Sequence, residues 1–178
     1  MNADLPIRPA TAADLPAVVA LINQAYRGEG GPVGWTAEGH LLGGPRTNVA
    51  ELTDLLSRHA AAHAAVLLAH DETGHLVGSV FVHPQPDALY LGLLGVAPAQ
   101  QGRHVGRQLL QAAEAYGRQH RRPVVRMTVL DARPELLAWY LRRGYQLTGR
   151  TEQLPLDGAH GQAQDPLVLQ VLEKSLAE

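Results

Sequence analysis

The chain has 178 residues, 46% of them hydrophobic and 18% charged, with a net charge of −2 and no cysteine. This length and balance fit one ordinary globular domain, not a disordered chain or a string of domains. Near-neutral charge gives no bulk attraction to nucleic acid or to an anionic membrane surface, and the lack of cysteine removes disulfides, thiolate metal ligands and cysteine nucleophiles together and fits a cytoplasmic location.

The first residues, with Asp4, Pro6 and Arg8, contain no apolar stretch of a secretory signal. No apolar run approaches the ~18 residues that a membrane span needs. Residues 6–9 read as a short strand. A helix follows, with Leu15, Val18, Val19, Ile22 and Tyr26 at helical spacing, Thr11 and Asp14 as a capping-box start, and Pro16 tolerated in the first turn. Residues 28–46 are rich in glycine, and a loop of that length inside a domain is usually functional; the wider segment 27–47 is the candidate loop over an acceptor site. Asn48 and Glu51 frame a second helix with Leu52, Leu55 and Leu56 on its apolar side, running to about His63.

Three strand candidates come next, at 64–71, 75–83 and 88–96, and their turn-like links predict antiparallel pairing. The third is nearly all apolar, which predicts cover on both faces. Val105, Leu109, Ala112, Ala113 and Tyr116 then mark a helix face. Residues 123–130 read as a strand, and 133–144 as a short helix with Pro134 at its first position and Gly144 past its end. Strands at 145–154 and 166–173 enclose a polar loop, 153–166. The order β-α-α-β-β-β-α-β-α-β-β, with one strand–helix–strand crossover, predicts an α/β (α+β) fold on a mixed, mostly antiparallel sheet with flanking helices.

The stretch APAQQGRHVGRQLL, residues 97–110, carries the chemistry. A strand runs into a loop and a helix leaves it, so the first helical turn offers unpaired amides at the positive end of the helix dipole. Gly102 and Gly106 remove Cβ atoms that would hold a ligand away, and Arg103 and Arg107 add charged donors. Such a site suits a pyrophosphate. It lacks both the Gly-Lys-Ser/Thr of a P-loop and the three spaced glycines of a dinucleotide fold.

Together with LLAWYLRRGYQLTG (136–149), this stretch resembles the GNAT superfamily of N-acetyltransferases. Leu94-Gly95-Val96-Ala97-Pro98 is similar to the family's strand end, and Gln101 and Gly106 match the first and last positions of its acetyl-CoA loop. His104 stands where glycine is usual. Tyr140, Gly144 and Tyr145 match the second motif, while Arg133 replaces a common Asn that often touches the pantetheine arm, and Leu136 a common Ala.

The resemblance implies a single acetyltransferase domain over 1–178, a sheet of about seven strands, acetyl-CoA as co-substrate, no metal, and direct transfer of acetyl to a primary amine of a small molecule, amino acid or peptide. It implies cofactor contacts from Leu94, Gly95 and Val96 and from Gln101, Gly102, Arg103, His104, Val105, Gly106 and Arg107. Leu94 N–H is the candidate donor to the acetyl oxygen, and Tyr140 the acid that protonates the departing sulfur. The strand at 88–96 must then part from the strand at 124–130, and Gly92 and Gly95 suit a bulge there.

The central strand holds no carboxylate, so the base is left among Tyr90, His83, Glu152 and bulk solvent. Trp35, Thr36, Glu38 and Arg46, with Tyr90, are candidates for acceptor recognition: Glu38 would suit a cation and Arg46 a carboxylate. His59 and His63, at i and i+4, have metal-ligand spacing without a third partner. Arg118, His120, Arg121 and Arg122 form a basic cluster able to meet the 3′-phosphate of CoA. Family members are frequently homodimers. Transfer of a different acyl group, transfer to a protein amine, and a non-catalytic acyl-CoA sensor are the alternative functions.

Overall fold

A computed structural model describes residues 4–154, 162–163 and 166–177. Its elements in chain order are β1 (Ile7–Pro9), α1 (Leu15–Arg27), β2 (Leu42–Gly43), α2 (Val49–Arg58), β3 (Ala65–His70), β4 (Leu76–Pro84), β5 (Leu89–Val96), α3 (Val105–Gln119), β6 (Val124–Leu130), α4 (Pro134–Leu141), β7 (Gln146–Gln153), β8 (Gln162–Ala163) and β9 (Val168–Ser175). The expected order holds, with β2 and β8 added to it. None of the helices described is long and apolar enough to cross a membrane.

Local chemistry sets the helix limits. The Asp14 carboxylate accepts from Thr11 N at 2.7 Å and Thr11 Oγ1 at 2.8 Å, fixing a 3₁₀ turn from which α1 leaves with Pro16 in its first turn. Gly28, at φ 74°, ends α1 in the left-handed region that a side chain would disfavour. Asn48 Oδ1 accepts from Glu51 N at 2.9 Å and caps α2. That helix stops at Arg58, short of the expected limit near His63. A 3₁₀ turn at Ala60–Ala62 and a left-handed His63, at φ 59°, turn the chain into β3 instead. His59 and His63 therefore share no helical face.

Seven strands form one sheet in the order β1-β3-β4-β5-β6-β9-β7. All neighbours are antiparallel except β5 and β6, the pair joined by the crossover through α3. Buried apolar side chains cover both faces. Leu89, Leu91, Val125, Met127 and Leu172 pack under α3 with Leu109 and Leu110. On the other face Leu68 and Phe81 pack under α1 and α2 with Val18, Ile22 and Leu52. Each fully buried side chain of this size contributes about 1.5–3 kcal/mol.

Two irregularities shape the middle of the sheet. Ser79 faces Gly95 and Phe81 faces Gly92, so Leu93 and Leu94 together oppose Val80 in a bulge, with Leu93 at φ 50°. In addition, β5 pairs with β6 only at Leu89↔Val125 and Tyr90↔Arg126, whereas β6 pairs with β9 along its whole length. From Leu91 onward β5 leaves β6, and a gap opens toward the start of α3.

The 27–47 segment is not wholly loop. Leu42 pairs with Ala163 and Gly43 with Gln162, a two-stranded ribbon that joins it to the 153–166 loop. Leu42 packs there against Leu130 and Leu154. The remainder of 153–166 beyond Leu154, apart from residues 162–163 and 166, lies outside the described residues.

Candidate active site

The gap between β5 and β6 forms a cleft of about 260 Å³. Its floor is the end of β5 at Leu94 and Val96; one wall is the turn into α3, the opposite wall is α4 with Tyr140, and the roof is the segment carrying Trp35, Thr36 and Glu38.

The turn into α3 presents backbone rather than side chain. His104 occupies the left-handed region at φ 64°, ψ 8°, and Gly102 lies at φ 80°. The amides of Gln101 and Arg103 close turns onto the carbonyls of Pro98 and Gln100, at 3.3 and 3.4 Å. Among the described residues, the amides of Gly102, His104, Val105, Gly106 and Arg107 have no hydrogen-bond acceptor. A Cβ on Gly106 would sit 3.5 Å from the Trp139 ring and 3.6 Å from Val96, filling the cleft itself. Unpaired amides at a helix start, a strand edge without a partner and space that a side chain would occupy fit an extended ligand bearing phosphate.

The α4 wall is aromatic. Tyr140 is buried, edge-on to Trp139 at 4.9 Å and to Tyr145 at 5.8 Å, and burial pushes its phenol pKa well up. The Arg143 guanidinium lies 3.6 Å from the Trp139 ring centroid, and its Nη1 donates to Trp139 O at 2.7 Å. Its Nε is buried with no partner among the described residues, and burial lowers its pKa, helped by Arg142 and Arg107. Trp139 and Arg143, at i and i+4, escaped the sequence reading; only that spacing could have paired them.

The roof is held from both walls. Gln101 Oε1 accepts from Trp35 N at 3.1 Å, and Gln101 Nε2 donates to Thr36 Oγ1 at 3.1 Å. Arg133 is 2% exposed and donates to Trp35 O at 2.8 Å and Thr36 O at 3.1 Å. Arg133 thus fastens the segment that roofs the cleft. Glu38 is 6% exposed, with Arg27 at 3.4 Å and Arg133 at 3.7 Å. Burial raises its pKa against the pull of Arg27, Arg133 and Arg46.

Other sequence candidates fall outside the cleft. Gly95 faces α1, where a Cβ would meet Ala25 and Leu21 at 3.4 Å. Arg103 lines a separate cavity beside Asp4 and Asp71, and Arg46 lies 5.6 Å from the Tyr26 ring. Tyr90 and Glu152 line another cavity of about 550 Å³ with Arg126 and Arg150. His83 stacks on His59 at 4.0 Å. The basic cluster lies at the far end of α3, a helix about 22 Å long by its rise, and Arg122 is committed to Gln85 O and Pro86 O at 2.7 and 3.0 Å. No group of three or more His, Cys, Asp or Glu able to hold a metal gathers among the described residues.

Solved structures place this architecture among known proteins. A ribosomal-protein-alanine N-acetyltransferase from Brucella melitensis is 25% identical, with a TM-score of 0.70 over 96% of this chain and 99% of that one. A putative acetyltransferase from Salmonella typhimurium, solved with its cofactor acetyl-CoA, is 18% identical with a TM-score of 0.70, covering 99% of this chain and 96% of its own. A phosphinothricin acetyltransferase from Sinorhizobium meliloti, in complex with acetyl-CoA, is 16% identical with a TM-score of 0.70, covering 99% and 90%. No curated protein matches the chain by sequence. The model of the acetyltransferase (GNAT) family matches residues 34–145, a span that runs from the roof of the cleft through both of its walls. The chain therefore belongs to the GNAT acetyltransferase family.

Proposed function

We propose that this chain, acting as one acetyltransferase domain, moves the acetyl group of acetyl-CoA directly onto a primary amine of a small molecule, an amino acid or a peptide. The observation that carries the reading is the parting of β5 from β6 beside a row of unpartnered amides. In this reading the amides of Gly102 and His104 to Arg107 hold the pyrophosphate, with Arg107 and Arg143 supplying positive charge at the mouth. The free edge of β5 at Leu94 and Val96 pairs the pantetheine arm as a neighbouring strand would, and Leu94 N–H steadies the negative oxygen formed on attack. Tyr140 donates its proton to the sulfur. Its burial keeps the phenol protonated through the neutral range, so the donor is present whenever sulfur departs. Trp35 and Thr36, in the roof, bound the acceptor side.

The test is release of free CoA against a panel of amines. Tyr140→Phe should lower kcat by about 10²-fold with acetyl-CoA affinity nearly unchanged. Gly106→Val should abolish acetyl-CoA binding while leaving the fold intact. Acetyl-CoA binding without turnover of any amine would mark the chain as a sensor, not an enzyme.

A further inference from the structure

The proton of the acceptor amine needs a destination, and none of the carboxylate, imidazole or phenol groups suggested by the sequence for that task lines the cleft. Glu38 does, from the segment between α1 and α2, alongside Leu94 and Tyr140.

Its pairing is the informative feature. Arg27 and Arg133 approach it at 3.4 and 3.7 Å, beyond the ~2.7–2.9 Å of a charge-assisted hydrogen bond. Both guanidinium groups make their short bonds elsewhere. Arg27 Nε donates to Gly44 O at 2.9 Å; Arg133 donates to Trp35 O at 2.8 Å and to Glu135 at 2.5 Å. Glu38 is thus a buried carboxylate more loosely paired than a charge-assisted hydrogen bond would hold it, with acceptor capacity left over on both oxygens. The groups facing it are Arg27 and Tyr26 from α1, Arg133 before α4, Arg46 before α2, and Tyr140. A carboxylate whose only role was to brace the roof would be expected to take the short bonds that these arginines give to main-chain carbonyls and Glu135.

We infer that Glu38 is the general base of the reaction, an assignment that rests on the acetyl-transfer reading above. An N–H bond of the incoming ammonium breaks, its electron pair stays on nitrogen, and an O–H bond forms on a Glu38 oxygen. The freed pair attacks the acetyl carbon, the C–S bond breaks, and sulfur takes the Tyr140 proton. The second N–H bond breaks on the adduct nitrogen as the amide forms and that proton returns to the Tyr140 oxygen, while loss of the Glu38 proton to solvent closes the cycle. One proton is released per amide formed.

Glu38→Gln keeps the shape of the side chain and removes its basicity. With an amine that the wild type accepts, kcat near neutral pH should fall by about 10²–10³-fold. Acetyl-CoA affinity should stay close to wild type, while the thermal midpoint falls because Arg27 and Arg133 lose the charge they face. The deficit should shrink toward about pH 9, where more of the amine enters unprotonated, and Glu38→Asp should recover part of the rate. Turnover in Glu38→Gln within about threefold of wild type overturns the assignment. So does a deficit of equal size at every pH, or a variant that has lost acetyl-CoA binding as well, since the carboxylate would then be a brace for the roof. A wild-type protein that binds acetyl-CoA and acetylates no amine overturns the underlying reading and Glu38's role with it, a result distinct from all three.

Discussion

His104 shows how one residue can break a local rule without undoing the site. It sits at φ 64°, where an L side chain costs about 1–2 kcal/mol relative to the ordinary region. Its amide is placed by the backbone, so the side chain is incidental to any ligand on that amide. His104→Gly should raise unfolding free energy in urea by about 0.5–1 kcal/mol, the strain relieved less the added freedom of the unfolded glycine. Acetyl-CoA affinity should stay within about twofold. A destabilised glycine variant would mean that the imidazole makes a contact worth more than the strain. The glycines and basic residues around His104 were legible in the sequence because they act through nearby backbone. The role of Glu38 was only half visible. Its charge pointed to the acceptor side, but Arg133 meets it from across the fold, and no local pattern announces such a pairing.

At the scale of elements, the early end of α2 gathers the histidines at the end of the sheet away from the cleft. With His59 off the helix, its ring stacks on His83 at 4.0 Å, and His63 lies 5.3 Å from His120, which also packs on Tyr116. Burial, and then the neighbouring His59, lower the His83 pKa; burial, His63 and Arg122 lower that of His120. A histidine depressed in the folded state is neutral there and takes up protons more readily once unfolded. Its stabilising share is present above the unfolded value of about 6.5 and is lost as pH falls through the folded one. The thermal midpoint should therefore drop between about pH 7.5 and about pH 5.5, and His83→Phe should flatten that drop. An equal slope in wild type and variant would remove His83 from the account. The helix start at Asn48 was readable because a cap is local; its end was not, since Ala60–Ala62 carries no breaker and the chain after it is held from a distance, by Tyr116 OH donating to His63 O at 2.7 Å.

For the whole molecule, the consequence of the split sheet is a native state with one internal edge left for a ligand. A compound that binds only the folded chain adds RT ln(1 + [L]/Kd), about 2.7 kcal/mol at a hundredfold excess over Kd. For a chain of this size that corresponds to a rise of roughly 5–10 °C in melting temperature. Acetyl-CoA at that excess should produce such a rise in differential scanning fluorimetry, and Gly106→Val should abolish it. The mixed, mostly antiparallel sheet with one crossover followed from the short links and the strand–helix–strand unit, whereas the insertion of β9 between β6 and β7 had no signal in the sequence. The ribbon was illegible. Leu42 and Gly43 carry too little strand signal to be seen from sequence, and they pair only because Leu42 finds Leu130 and Leu154 beneath it.

That ribbon sets a rule for redesign. Since Leu42–Gly43 is zipped to Gln162–Ala163, the 27–47 segment and the stretch that carries β8 are mechanically one part. Grafting only one of them from a relative, in the hope of altering which amine is accepted, leaves a mismatched seam. Chimaeras should exchange both stretches together, keeping Leu130 as the common anchor on the scaffold below.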